Sequence, residues 1–464
     1  MTLHRLRLAA FALCAFATSV VADITLPEYE RVVLDNGVVL LISEKHDVPL
    51  VGLQATVRGG AIQDPEALNG LANLLAGLLE KGAGERDAAV FAESVDAVGG
   101  RLSASAGLES IRISADFMAR DSELLIELLA DMLRRPTLDP DEFEKLRDRS
   151  INLIKAAKGS NPGDLLPSYG NAFLFEEHAY GNPLSGSEDS LAGITHDDLL
   201  AFYENHVGAD RLIISVVGDF NAEAMQSRLA AAFGDWRAAA GEVAAVPAAP
   251  RQTGRRVLLV DKPGATQTYF WLANIGVAVD YPQRAELNLA NTVFGGRFTS
   301  MLNTELRVKA GLTYGARSLL ARPATPGSVV ISTFTETSTT TDAIDMAIDV
   351  LQTLHESGID DETIVSARNY VMGQFPPRLE TAAQLAGQLA MLELYGLDMA
   401  YVNDYAEALE AANGASITTT IAGVYPTTED LVLILIGDAE KIREAVSEYG
   451  PLTEMPLSET RFRP

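Results

Sequence analysis

Residues 210–229 read DRLIISVVGDFNAEAMQSRL, and residues 429–446 read EDLVLILIGDAEKIREAV. Each is a β-rich apolar run, then Gly-Asp (Gly218-Asp219 and Gly437-Asp438), then apolar residues at helical spacing. The spacing between the two copies is far too long for a solenoid repeat. Together with a similar order of elements upstream of each copy, it reads as duplication of one α+β domain. Each copy is expected to be an antiparallel sheet with helices packed on one face.

Working outward, ERVVLDNGVVLLISEK (30–45) places two β-rich runs around Asn36-Gly37, a hairpin signal. VPLVGLQATVRGG (48–60) and LESIRISADF (108–117) extend the strand set, with helices between and after them. The stretch 238–254, AAAGEVAAVPAAPRQTG, is low in complexity and rich in Ala, Pro and Gly, and reads as a linker. The pattern then restarts: TYFWLANIGV (268–277) and SVVISTFTE (328–336) as strands, with a helix over 283–296 between them. A helical stretch is expected from Asp361 to Gly396, kinked at Pro376-Pro377.

At 464 residues the chain is too long for one ordinary core. Its net charge of −27 disfavours nucleic acid, because phosphate contacts need a basic face. Residues 1–22 combine a basic start (His4, Arg5, Arg7), an apolar middle and Val20-Val21-Ala22, the pattern of a signal peptide cleaved after Ala22. Cys14, the only cysteine, lies within it, so the mature chain has no disulfide or thiolate metal site. No later apolar run suits a membrane span. The expectation is an exported protein, periplasmic or secreted. The domain plan is then a leader (1–22), an N-terminal domain (23–237), a linker (238–254) and a C-terminal domain (255–464).

NGLANLLAGLLEKGA (69–83) poses a question. Leu71, Leu74, Leu75, Leu78 and Leu79 make an amphipathic helix, yet Gly77 sits inside it, at a cost of about 1 kcal/mol against alanine. Asn73 lies one turn earlier on the same side. Among the histidines, His46, His178, His196, His206 and His355 include no i, i+4 pair. His196 reads as solvated beside the Thr195 cap, and His206 as a last-turn cation suited to the helix dipole.

GGAIQDPEALNGLANLLAGLLEKGA (59–83) resembles the first active-site helix of the pitrilysin/insulinase family of zinc peptidases. FAESVDAVGGRLSASAG (91–107), the stretch 178–219, GGRFTSMLNTELRVKAGLTYGARS (295–318) and GQFPPRLETAAQLAGQLAMLELYGLD (373–398) resemble further parts of it. The likeness runs from about Glu30 to about Asp438. The family's helix carries H-x-x-E-H: two histidines bind zinc and the glutamate acts on the metal-bound water. Here those positions fall on Asn73, Ala76 and Gly77, and RDRSINLIKAAKGSNPGDLLPSYG (147–170) has no glutamate to serve as third ligand. The resemblance therefore implies a chain that binds no metal itself.

Family members also carry an arginine and a tyrosine that hold substrate and support the carbonyl as it becomes an oxyanion. They match Arg307 and Tyr314. On the residues alone, Arg307 reads as a surface ion pair and Tyr314 as half-buried packing, with a helix through Glu305 and Arg307 ending near Gly311 and a strand opening at Tyr314. Some two-subunit bacterial members split the zinc helix and the Arg/Tyr pair between subunits. The resemblance then implies a homologous zinc-bearing partner, with zinc in that partner, and a peptide enclosed between them. The alternatives are a non-catalytic scaffold and a peptide-binding protein that acts alone.

Overall fold

The computed structural model describes residues 25–464, so the expected leader lies outside the described residues. The first domain is built on a six-stranded sheet. Its strands are β1 (Glu30–Val33), β2 (Val39–Glu44), β3 (Leu50–Arg58), β4 (Arg101–Ala106), β5 (Ser110–Met118) and β6 (Leu212–Gly218), in the order β1-β2-β6-β3-β5-β4. The second contains β7 (Arg256–Asp261), β8 (Gln267–Ile275), β9 (Arg317–Leu320), β10 (Ser328–Glu336), β11 (Val432–Gly437) and β12 (Leu452–Pro456), in the order β9-β10-β8-β11-β7-β12. Residues 242–253 between the sheets form neither helix nor strand.

The two sheets share their internal order, and small contacts repeat with it. Lys45 N donates to Gly218 O at 2.7 Å, and Lys262 N donates to Gly437 O at 2.7 Å. Glu44, the last residue of β2, accepts from Ala222 N at 2.5 Å at the start of the helix after β6. Asp261, the last residue of β7, accepts from Ala439 N at 2.9 Å at the start of the helix after β11. Each acceptor satisfies an N–H that the helix itself cannot. The outer strand beside each pair differs: β1 arrives antiparallel through a hairpin at Gly37 (φ 95°), whereas β12 arrives parallel.

Two α+β domains with mainly antiparallel sheets are as expected, with two additions. β2–β6, β11–β7 and β12–β7 are parallel pairs. Helices also cover both faces, not one. The central strands LIISVVG (β6) and VLILIG (β11) are buried at every residue, so each sheet has two apolar faces to cover. On the first sheet, Leu40, Ile42, Leu53 and Ile214 pack on the domain's own helices, while Val39, Leu41, Ile213 and Val217 meet Leu385, Leu389 and Leu392 of the helix Ala382–Tyr395. That helix comes from the second half of the chain. Reciprocally, the helix Leu166–Phe175 leaves the first half to put Tyr169 and Phe173 in one core with Trp271 and Ile434 of the second sheet. Glycines let these layers touch: a Cβ on Gly170 would lie 2.3 Å from the Trp271 ring.

The stretch expected to kink at Pro376-Pro377 is broken outright. Helix Asp361–Gln374 ends, a short 3-10 turn spans Pro376–Arg378, and a new helix starts at Ala382 behind a Thr381 capping box. A proline removes an N–H and clashes with the preceding turn, so two in succession end the helix. Among the described residues, no helix is long and apolar enough to cross a membrane.

Candidate functional site

The helix α1 (Leu71–Leu79) buries Leu71, Leu74, Leu75, Ala76, Leu78 and Leu79 against the first sheet's core. It begins at Gly70, whose φ of 104° suits glycine. Asp64 secures this start across the intervening loop, accepting from Gly70 N at 2.7 Å and Ala72 N at 2.9 Å. Burial pushes the Asp64 carboxyl up to about 7, and the backbone N–H bonds oppose that shift. At the other end, Glu80 Oε1 accepts from Ala104 N at 2.5 Å on the edge strand β4.

Asn73 and Gly77 are half-buried on this helix, and Ala76 is buried. A Cβ on Gly77 would lie 3.0 Å from Leu146 Cδ2, which belongs to the helix Pro140–Ser160. Gly77 thus lets an aliphatic side chain approach the helix backbone closely. The glutamates early in that second helix are engaged elsewhere: Glu142 pairs with Lys145 at 2.7 Å, and Glu144 pairs with Arg147. Among the described residues, no group of three His, Cys, Asp or Glu is gathered to hold a metal ion. The donor set at Asn73, Ala76 and Gly77 does not fit zinc: one amide, one methyl, and a glycine facing Leu146.

Among the described residues, each histidine has a local partner. His178 Nε2 lies 2.7 Å from Pro247 O, His355 Nε2 2.9 Å from Pro426 O, and His46 bridges Asp219 (2.7 Å) and Glu44 (3.3 Å). His196 is half-buried with Nε2 2.6 Å from Leu138 O, not solvated as expected. His206 is also not the expected last-turn cation. Burial, and then the Arg211 guanidinium beside it, push its imidazole down.

The second-domain residues come together. Leu306, fully buried, anchors a wide π-helical segment over Asn303–Lys309, with Ala310 N donating to Glu305 O at 3.0 Å. The chain reverses at Gly311 (φ 66°). Asn303 Oδ1 then accepts from Ala316 N at 3.0 Å, and Thr333 Oγ1 donates to Gly315 O at 3.0 Å. These bonds hold the loop that carries Tyr314; the following strand opens at Arg317, three residues later than expected. The Arg307 guanidinium lies 5.0 Å from the Tyr314 ring centroid. On its other contact, 4.5 Å away, is the ring of Phe298, a residue that the spacing arguments did not single out. Glu305 pairs with Lys309 at 2.8 Å, so the expected ion pair of Arg307 with its own helix is not formed. Among the described residues, no hydrogen bond or ion pair holds Arg307. Tyr314 is 78% exposed and Phe298 65%, so Tyr314 is not half-buried packing. The arrangement offers a guanidinium oriented by aromatic contact, with its N–H donors free for a ligand oxygen.

A separate feature joins the domains. Tyr180 OH donates to Glu109 at 2.5 Å, and Ala324 N from the second domain donates to the same carboxylate at 3.0 and 3.1 Å. Burial and this carboxylate push the Tyr180 phenol up to about 12. Tyr180 and Glu109 line a cavity of about 530 Å³ together with Arg112, Arg322 and Tyr395.

Residues 38–188 match the family described as Insulinase (Peptidase family M16), and residues 193–371 match the Peptidase M16 inactive domain. An uncharacterized zinc protease of Streptomyces coelicolor is 27% identical over 406 residues, 86% of this chain and 84% of that one. The crystal structure of a peptidase M16 inactive domain from Pseudomonas fluorescens superposes with a TM-score of 0.82 at 21% identity, over 89% of this chain and 98% of that one. A protease from Helicobacter pylori superposes with a TM-score of 0.80 at 18% identity, over 89% of this chain and 100% of that one.

Proposed function

This chain belongs to the insulinase family of peptidases, and from that premise we propose that it is the non-zinc-binding subunit of a heteromeric zinc metallopeptidase. It contributes substrate binding and oxyanion support to peptide hydrolysis in a homologous, zinc-bearing partner. The observation that carries this reading is a contrast within one chain. The helix that matches the family's metal motif presents Asn73, Ala76 and Gly77, the last packed on Leu146, while a half-buried Arg307 stands beside an exposed Tyr314. A fixed guanidinium and a phenol are donors suited to developing negative charge.

Residues 1–22 support export, and the reading includes cleavage after Ala22 and a periplasmic or secreted location. N-terminal sequencing of the mature protein tests that part. The functional test needs the partner: a neighbouring reading frame that encodes H-x-x-E-H on the matching helix. Co-purified with it, the wild-type chain is expected to support peptide hydrolysis. Arg307→Ala and Tyr314→Phe are each expected to lower kcat by about 10²-fold, the scale of losing one oxyanion donor. Full activity of both variants overturns the catalytic role. Association with no peptidase at all favours the scaffold reading.

A further inference from the structure

Arg307 is oriented by two rings rather than by a carboxylate. Its guanidinium lies 4.5 Å from the Phe298 centroid and 5.0 Å from the Tyr314 centroid, and both rings are largely exposed. Aromatic contact engages the flat faces of a guanidinium and leaves its N–H edge open, the geometry that takes a carboxylate through two parallel bonds. The local charge agrees. From 297 to 317 the chain carries Arg297, Arg307, Lys309 and Arg317 against a single acid, Glu305, whereas the whole chain has a net charge of −27. Glu305 is itself engaged by Lys309. This stretch of the chain is thus locally net positive within a strongly acidic molecule, which favours the approach of an acidic group.

We propose that Phe298, Arg307 and Tyr314 form a recognition site for a carboxylate on the bound peptide, and that Phe298 is the positioning residue that holds the Arg307 fork in place. This rests on the reading of the chain as a peptide-binding subunit and names the substrate class: peptides with an acidic group. The carboxylate comes from an Asp or Glu side chain or from the peptide's own C-terminus.

Fluorescence polarisation on the full-length mature protein tests this, with four fluorescein-labelled peptides of one sequence. They carry a central Glu or Gln, each with a free or amidated C-terminus. The amidated Glu peptide is expected to bind at least tenfold more tightly than the amidated Gln peptide, and raising the salt should shrink the gap. A gap that follows the free C-terminus instead assigns the same site to the terminal carboxylate. Arg307→Lys and Phe298→Leu are expected to abolish most of the discrimination, whereas Phe298→Tyr, which keeps a ring, should retain it. Phe298 is exposed, so these variants fold. Equal binding of all four peptides overturns the proposal and leaves peptide binding intact. Binding of none overturns it and counts against the peptide reading as well.

Discussion

A methyl group placed on Gly52 would lie 2.2 Å from the backbone nitrogen of Ala383. Gly52 is on β3 of the first sheet, and Ala383 is in the first turn of the helix that arrives from the second half of the chain. Strand and helix backbones meet there with no side chain between them. Gly52→Ala is expected to destabilise the protein by about 2–3 kcal/mol, since neither backbone can yield without disturbing its layer. A lowered urea midpoint with an unchanged m-value checks it.

Asn274 is fully buried and bonded on both sides of its amide. Its Oδ1 accepts from Gln252 N at 3.0 Å, and its Nδ2 donates to Gln252 O at 3.0 Å and Asp430 O at 2.6 Å. It fixes the end of the interdomain segment to the second sheet. Asn274→Leu would leave several buried backbone groups unpaired, so a loss of about 2–3 kcal/mol is expected in equilibrium unfolding.

His46 gives a dependence on pH. Its bonds to Asp219 and then Glu44 raise its imidazole above the ordinary value of 6.5. A group whose folded-state value is raised binds its proton more tightly when folded. Its contribution is therefore full below 6.5 and is lost as pH rises through the higher folded value. The stability difference between wild type and His46→Gln should shrink across that window. An NMR titration of the His46 ring supplies the midpoint, and a midpoint at or below 6.5 contradicts the assignment.

Gly77 separates two effects of its site. Gly77→Ala gains helix propensity of about 1 kcal/mol, and its methyl meets only the tip of Leu146, so a net stabilisation of about 0.5 kcal/mol is expected. Rebuilding the metal motif with Asn73→His, Ala76→Glu and Gly77→His should fail. The glutamate replaces a buried alanine, one histidine displaces Leu146, and residues 147–170 contain no glutamate to complete the ligands. Elemental analysis should find no stoichiometric zinc in the triple variant.

Much of this architecture was legible in the sequence. The Gly218-Asp219 and Gly437-Asp438 endings mark the two central strands, and the matching contacts of Lys45 and Lys262 carry the likeness into three dimensions. The exchange of helices was not legible. An apolar stripe such as Leu385, Leu389 and Leu392 says that a helix must be covered, but not by which sheet, and local periodicity holds no information on that choice. Phe298 escaped for a related reason. It stands nine positions before Arg307, and only the wide π-helical segment and the turn at Gly311 bring both rings to the guanidinium. His206 was misjudged because a last-turn position signals the dipole, while burial, and after it the guanidinium of Arg211, pushes its imidazole down.

The reciprocal placement of helices Leu166–Phe175 and Ala382–Tyr395 also constrains how the molecule is made. Neither sheet can be shielded on both sides until the other half has been synthesised, so the nascent first half stays open to water while the ribosome completes the second. Each half thus carries one covering layer of the other's sheet, and neither half has a complete set of layers by itself.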